Sequence, residues 1–282
     1  MFIIGLKVAT IKNIILGCST DFEMKRKYLF LSFLYVLICS FFYIESGDKT
    51  DSSKISILSY NIRNARGMDE VVNYDRIADV IRRIDPDCVA LQELDSATER
   101  SQGKVVLDEL AKRLGMYASY SGSIDYQGGK YGIGILSKEK PLRKVTATLP
   151  GSEEKRSLLI VELLGYVMCC THWSLMQPDR LFSVEVINET IKKYTTKPVF
   201  LAGDLNATPQ STEIEELEKS WEMLNDPRQP TFPSDNPSSC IDYILLKKNP
   251  LFRIRVLQTY VENESEASDH RPVWVDVQMS KK

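Results

Sequence analysis

The sequence predicts an α/β (α+β) domain in which two mixed, mainly antiparallel β-sheets pack face to face with helices outside. Three observations lead there. Short apolar runs rich in β-branched residues alternate with helical stripes early in the chain. Between Tyr117 and Thr171 such runs follow one another through tight turns, as in antiparallel sheet rather than a parallel array. Five of the runs also finish on polar residues, which a packed sandwich can gather at one edge as a cleft.

Lys54 to Arg63 reads as a buried strand whose functional end is Asn61. Asn73 is placed to cap a helix with Ile77, Val80, Ile81 and Ile84 on one face, stopped by Asp85-Pro86. Asp87 to Glu93 is a second apolar strand, finishing on Gln92-Glu93. Val106, Leu107, Leu110 and Leu114 mark a second helix closed at Gly115. Strands follow over 117–124, 131–137, 157–163 and 166–171, the first two joined at Gly128-Gly129 and the last ending on Thr171-His172. Pro178 begins a third helix with Leu181, Val184, Ile187 and Ile191 inward. The run Pro198 to Ala202 leads into Gly203-Asp204-Leu205-Asn206-Ala207-Thr208-Pro209, and Thr212 and Glu215 have capping-box spacing for a short helix through Leu217. A Pro- and Asp-rich loop over 226–239 precedes the strand Cys240 to Leu246, and two last strands flank Ser268-Asp269-His270-Arg271-Pro272.

The amino terminus departs from this pattern. Lys25-Arg26-Lys27 precede an apolar run from Tyr28 to Tyr43, the charge and length pattern of a signal peptide, whereas a membrane span needs about 20 apolar residues. Residues 1–23 are read as an overextended start, 24–46 as the leader, 47–53 as a polar spacer and 54–282 as the working domain. Export to the periplasm or medium is expected, without a transmembrane anchor in the mature form; lipid attachment at Cys39 is the alternative. Removing residues 1–46 takes away five Lys or Arg and three Asp or Glu, so the balance of 36 basic against 38 acidic residues becomes 31 against 35. That acidity provides no general basic field for nucleic acid, and no stable nucleic-acid complex is expected. Cys88, Cys169, Cys170 and Cys240 lack zinc-type spacing and are expected to be mostly free, buried thiols.

Asp204 and Asn206, two apart on an extended chain, can face one reaction centre. An acceptor-only carboxylate beside an amide that both donates and accepts suits a phosphate ester and the water attacking it. An Asp-x-Asn turn closing on its own backbone is the other reading of those residues taken alone. The chain has only two histidines, His172 and His270, and both stand in the strand-end clusters.

The ordered set Asn61, Gln92-Glu93, Thr171-His172, Gly203-Asp204-Leu205-Asn206, Ile241-Asp242-Tyr243 and Ser268-Asp269-His270-Arg271-Pro272 resembles the endonuclease/exonuclease/phosphatase superfamily over residues 54–278. The resemblance implies a four-layer αββα sandwich and a metal-dependent phosphoesterase. It further implies Glu93 as principal ligand of Mg2+ (or Mn2+), with Asn61 and Asp269 near the metal or its waters. Asp204 and Asn206 would orient the attacking water and the phosphate. His270, positioned by Asp242, would be the general base or a phosphate-polarising partner, and His172 the donor at the developing charge or leaving oxygen. Independently of family, a phosphoester anion demands cationic charge on its oxygens, an activated water in line and a proton for the leaving group.

Two positions depart from the family pattern. Ile133-Gly134 stand where many relatives have Asn-Ala, removing a phosphate contact, and Trp173 replaces the more frequent leucine. Trp173 is read as core packing or as an aromatic wall for the leaving group. Arg63, Tyr126 and Arg156 are weaker substrate-contact candidates, solvent being the commoner fate of an arginine. The function expected is an exported, magnesium-dependent phosphodiesterase acting as a monomer on a small or lipid-derived phosphoester. A secreted nuclease and a catalytically silent phospho-ligand binder are the other two readings. Specificity is expected in loops 98–104, 124–131 and 226–239.

Overall fold

A computed structural model describes residues 53–282; the leader expected over 24–46, the residues before it and nearly all of the polar spacer lie outside the described residues. Within them, strands β1 (Ser53–Asn61), β2 (Cys88–Ser96), β3 (Tyr117–Tyr126), β4 (Gly129–Ser137), β11 (Phe252–Val261) and β12 (Val273–Lys281) form one sheet in the order β11-β12-β1-β2-β4-β3. Strands β5 (Arg143–Leu149), β6 (Arg156–Glu162), β7 (Val167–His172), β8 (Val199–Asp204), β9 (Trp221–Met223) and β10 (Asp242–Lys247) form the other, ordered β5-β6-β7-β8-β10-β9. The helices are α1 (Tyr74–Ile84), α2 (Val106–Leu114), α3 (Gln177–Ile191) and α4 (Thr212–Glu218).

Side-chain alternation sorts the apolar residues into three layers. Ile57, Ile135, Met168, Phe200, Ile244 and Val275 fill the space between the sheets. Leu58, Leu91 and Leu136 turn the other way and pack under Ile77, Val80 and Leu107 of α1 and α2. Ile160 and Leu201 do the same under Val184, Ile187 and Ile214 of α3 and α4. Two sheets with a helical layer on each outer face make the αββα sandwich that the sequence implied.

The parallel pairings are β1 with β2 and β7 with β8, each joined through a helix, α1 and α3 respectively. Consequently the carboxyl ends of four central strands emerge at one edge of the sandwich. Asp242 opens β10 opposite Asp204, and the segment before Val273 enters β12 at the same edge, so the polar strand ends of distant segments converge there.

Local signals were realised with a few differences. Asn73 Oδ1 accepts from Arg76 N at 3.0 Å to cap α1, and α2 stops at Gly115. Leu181 is only half-buried; Ser183 turns inward instead, its hydroxyl donating to Asp179 O at 2.8 Å. No capping box forms on α4, because Thr212 is already helical and Ser211 at the N-cap donates its hydroxyl to Thr208 O at 2.7 Å. Edge strand β5 has no counterpart in the sequence reading: Arg143 to Thr148 is too polar to stand out. The four cysteines are free and buried, as expected.

Candidate active site

Each site residue owes its place to a strand end. Asn61 ends β1 on the side of Ile55 and Ile57, facing between the sheets. Glu93 needs more than alternation. Leu91 and Leu94 both pack against the α1–α2 layer although two residues separate them, and the β2–β4 register slips between them. This β-bulge, with Glu93 at φ 61°, turns Gln92 and Glu93 together off the helical face. The Glu93 carboxylate can thereby accept from Asn61 Nδ2 at 3.0 Å. On the second sheet His172 and Asp204 are register partners at the ends of β7 and β8. A Cβ at Gly203 would meet Thr171 O at 2.0 Å, so that close approach requires glycine.

Asp204 is the hub. Its Oδ2 lies 3.1 Å from Asn61 Nδ2, 3.4 Å from His172 Nε2 and 3.7 Å from His270 Nε2, while Oδ1 accepts from Asn206 N at 2.9 Å. His270 Nδ1 is 2.9 Å from Asp242 Oδ2, and Thr231 Oγ1 donates to that same oxygen at 2.6 Å. Ser268 donates to Asn61 O at 2.8 Å, tying the His270 segment to β1. The Tyr243 hydroxyl sits 2.7 and 2.8 Å from the carbonyls of Ala207 and Cys240, fixing the loop after Asp204 against β10. Asp204, Asp242, His172 and His270 are all buried.

The two histidines occupy opposite charge states. Burial pushes the pKa of His172 down to about 4, against the pull of Asp204, so its ring is neutral at neutral pH. Burial works against charge on His270 as well, but there Asp242 and Asp204 prevail and raise its pKa to about 10. Of the two roles considered for His270, a charged donor polarising the phosphate fits this state better than a base.

The donor chemistry fits a hard divalent cation. Burial, together with the charges of Asp269 and Asp204, raises the pKa of Glu93, and buried Asp242 Oδ1 has no hydrogen-bond partner: the site holds more negative charge than it satisfies. Asp204, Asp242 and His270 bring one polar atom each within 4.8 Å of one another, and with His270 charged the carboxylates of that group, not the ring, are the atoms able to face a metal ion. Glu93 and Asn61 adjoin that group through Asp204, and Asp269, half-exposed, precedes His270.

The weaker candidates stand differently. Trp173 is fully buried among Val184, Leu205 and Tyr243, so it is core and not a wall of the cleft. Asn206 Nδ2 donates to Trp173 O at 3.0 Å, using one of its amide donors to hold the loop. Arg63 pairs with Glu70 at 2.8 Å and lies 3.9 Å from Asp269. Tyr126 lies under Arg100, whose guanidinium is 4.6 Å from its ring centroid and forks onto Asp95 at 2.6 and 2.8 Å. Arg156 is buried, with Glu154 at 3.3 Å and Glu153 at 3.6 Å. Sequence reasoning missed Thr231, whose hydroxyl positions Asp242 and which nothing marked within its polar loop; Ser268, which holds Asn61, stood in the quoted motif without a role of its own.

Comparison with known proteins agrees with this geometry. The model of the Endonuclease/Exonuclease/phosphatase family matches residues 58–270. No curated protein matches the sequence. Among solved structures, an endonuclease/exonuclease/phosphatase from Beutenbergia cavernae is 23% identical, with a TM-score of 0.67 over 80% of this chain and 72% of that one. A second, from Bacteroides vulgatus, is 17% identical with a TM-score of 0.64, covering 80% and 98%. The mannosyl-6-phosphatase Bt3783 of Bacteroides thetaiotaomicron is 19% identical with a TM-score of 0.58, covering 79% and 99%. At such identities these likenesses establish the fold, while the family model spans most of the domain and every motif of the cleft up to His270. The chain therefore belongs to the endonuclease/exonuclease/phosphatase family and is a hydrolase of phosphate ester bonds.

Proposed function

We propose that this enzyme is a magnesium-dependent phosphodiesterase, with manganese as the alternative ion, acting on a small or lipid-derived phosphoester by in-line attack of water. The observation that carries the reading is the shared Asp204 carboxylate, within 3.7 Å of Asn61 and both histidines. Asp204 accepts a proton from the attacking water, which Asn206 helps to orient. His270, charged and held by Asp242, stabilises negative charge on the non-bridging oxygens. His172, neutral and 3.4 Å from Asp204, donates a hydrogen bond to the leaving oxygen as charge develops there, and the proton that Asp204 took from the water passes to that oxygen, so that the alcohol departs neutral and Asp204 returns to a carboxylate. Glu93, with Asn61 and Asp269 beside it, would hold the ion, which supplies further charge neutralisation on the phosphate.

Small substrates are favoured because Arg63, Arg100 and Arg156 are each ion-paired to carboxylates rather than free to line a polyanion groove. A neighbour of the same fold, the Bacteroides mannosyl-6-phosphatase, is named for a small phosphoester. Export rests on the pattern of residues 24–46, and a mature chain still starting at Met24 or earlier would refute leader cleavage. Among the described residues no helix is long and apolar enough to cross a membrane.

The test is hydrolysis of bis-p-nitrophenyl phosphate, plasmid DNA and sphingomyelin, with and without Mg2+, and with Asp204→Ala as control. Metal-dependent cleavage of the aryl diester or sphingomyelin, lost in the control, is the expected result. Preferential cleavage of plasmid DNA would support the nuclease reading instead. A folded, Mg2+-binding protein that cleaves none of them would overturn the phosphodiesterase reading.

A further inference from the structure

A cleft of about 590 Å³ that none of the catalytic side chains lines includes Glu153 and Glu154, the partners of Arg156, whose charge is felt at His172. One wall is the β3–β4 hairpin, with Ser123, Asp125 and Lys130; the other is the 151–155 loop, with Glu153, Glu154 and Lys155. Asp125 and Lys130 pair at 2.5 Å on their wall, and Lys155 helps to hold the Asp125 carboxyl below its ordinary pKa from the other.

Two hydrogen-bonded links tie this cleft to the catalytic strand. Ser123 Oγ and Ser157 Oγ lie 2.8 Å apart, and Ser157 O accepts from Thr171 Oγ1 at 3.2 Å, immediately before His172. On the opposite wall Glu153 accepts from Ser174 Oγ at 2.7 Å and from Leu175 N at 2.8 Å, immediately after Trp173. The loop is pre-formed. Ser152 donates from its amide and hydroxyl to Asp179 at 2.6 and 2.9 Å, and at Gly151 a Cβ would meet Glu154 O at 1.8 Å, so only glycine lets the loop close this tightly. The cleft is thus fixed to the strand that presents the donor for the leaving oxygen.

We infer that this cleft is the leaving-group subsite and that it takes a neutral polyhydroxylated group, a sugar or cyclic polyol. The inference rests on the phosphoester reading above and narrows its substrate class. Buried Arg156, 3.3 Å from Glu154 and 3.6 Å from Glu153, together with the two lysines offsets the three carboxylates, so the walls offer no surplus positive charge to a second phosphate or a continuing nucleic-acid strand. Ile124 is the one large apolar side chain among the lining residues, too little to hold an acyl chain. Paired carboxylates, ammonium groups and hydroxyls instead offer alternating acceptors and donors, the pattern that ring hydroxyls satisfy.

The experiment compares the full-length protein with Lys155→Ala and Glu154→Gln. Turnover is followed on glycerophosphoinositol as soluble polyol diester, phosphatidylinositol vesicles as lipid source and bis-p-nitrophenyl phosphate as reference, and calorimetry measures glycerophosphoinositol binding separately. The expected result is a loss in kcat/KM of about tenfold or more on the polyol esters, mainly through KM, clearly exceeding any change on the aryl diester. A loss confined to the soluble or to the vesicle substrate would name its source. Equal losses on polyol and aryl esters, or aryl turnover without measurable glycerophosphoinositol binding, would overturn the subsite while leaving the phosphodiesterase reading intact. Binding that weakens in both variants without any turnover would retain the subsite and overturn that reading.

Discussion

Glu93 sits at φ 61°, a left-handed conformation that costs a residue of its kind about 1 kcal/mol, with its carboxylate partly desolvated and near like charges. Such a placement is unfavourable in the metal-free protein and becomes favourable with a cation. Glu93→Ala should therefore lower turnover by about 100-fold or more and abolish stabilisation by Mg2+, without lowering the melting temperature of the metal-free protein. Retained metal stabilisation in a melting assay would contradict the ligand role. His172→Ala should keep metal stabilisation and lose turnover; unchanged turnover would remove His172 from the mechanism. The two histidines also set a pH signature for the metal-free protein. His270, raised to about 10, contributes stability that is fully present below the unfolded value of about 6.5 and is lost as pH rises towards 10. His172, lowered to about 4, costs stability as pH falls from about 6.5 towards 4, because the unfolded chain binds its proton more readily. Urea midpoints in EDTA should accordingly fall on both sides of about pH 6.5, and Asp242→Asn should flatten the alkaline arm.

The element that matters most is the parallel pair β7–β8, because its register sets the distance between His172 and Asp204. Gly203 permits that pairing. Gly203→Ala would press a methyl carbon onto the Thr171 carbonyl, and the two nearest atoms it would meet are backbone, not the end of a flexible side chain. We expect a destabilisation of about 1–3 kcal/mol by denaturant melt, with loss of activity in the molecules that still fold. The β2 bulge is the matching device on the first sheet. The spacing Leu91-Gln92-Glu93-Leu94, two helix-facing leucines separated by two polar residues, was its signal in the sequence, visible once the packing partners of both leucines are known.

For the whole molecule, the site lies at the edge where polar strand ends of both sheets meet, so an ion held there would stabilise the folded state. Removing divalent ions with EDTA should lower the melting temperature and Mg2+ should restore it, by about 2.7 kcal/mol at one hundred times its dissociation constant. Absence of any shift in the unsubstituted protein would mean that the cluster around Asp204 and Glu93 does not bind Mg2+. The same architecture explains why the 151–155 loop escaped the sequence reading, whose specificity loops were 98–104, 124–131 and 226–239. Residues 151–155 form a short polar stretch, and they gain meaning only because they lead into β6, the strand paired with the His172 strand.

What the sequence by itself determined was the layered fold and the motif residues of the cleft. Apolar alternation assigns each strand residue to a face, and with only two histidines the chemistry-bearing positions were few. Trp173 shows where that reasoning stops: one residue after His172, it reads as core in preference to a wall of the cleft, and only the packing that buries it completely decides for core. The arginines show the same limit, since pairing of Arg156 with Glu153 and Glu154 depends on a loop conformation, not on a pattern. Only the tertiary structure decided the charge states of the two histidines, the positioning role of Thr231 and the polar cleft of the 151–155 loop. Each of these depends on distances between segments remote in sequence, and electrostatic and hydrogen-bond energies are set by those distances rather than by residue type alone.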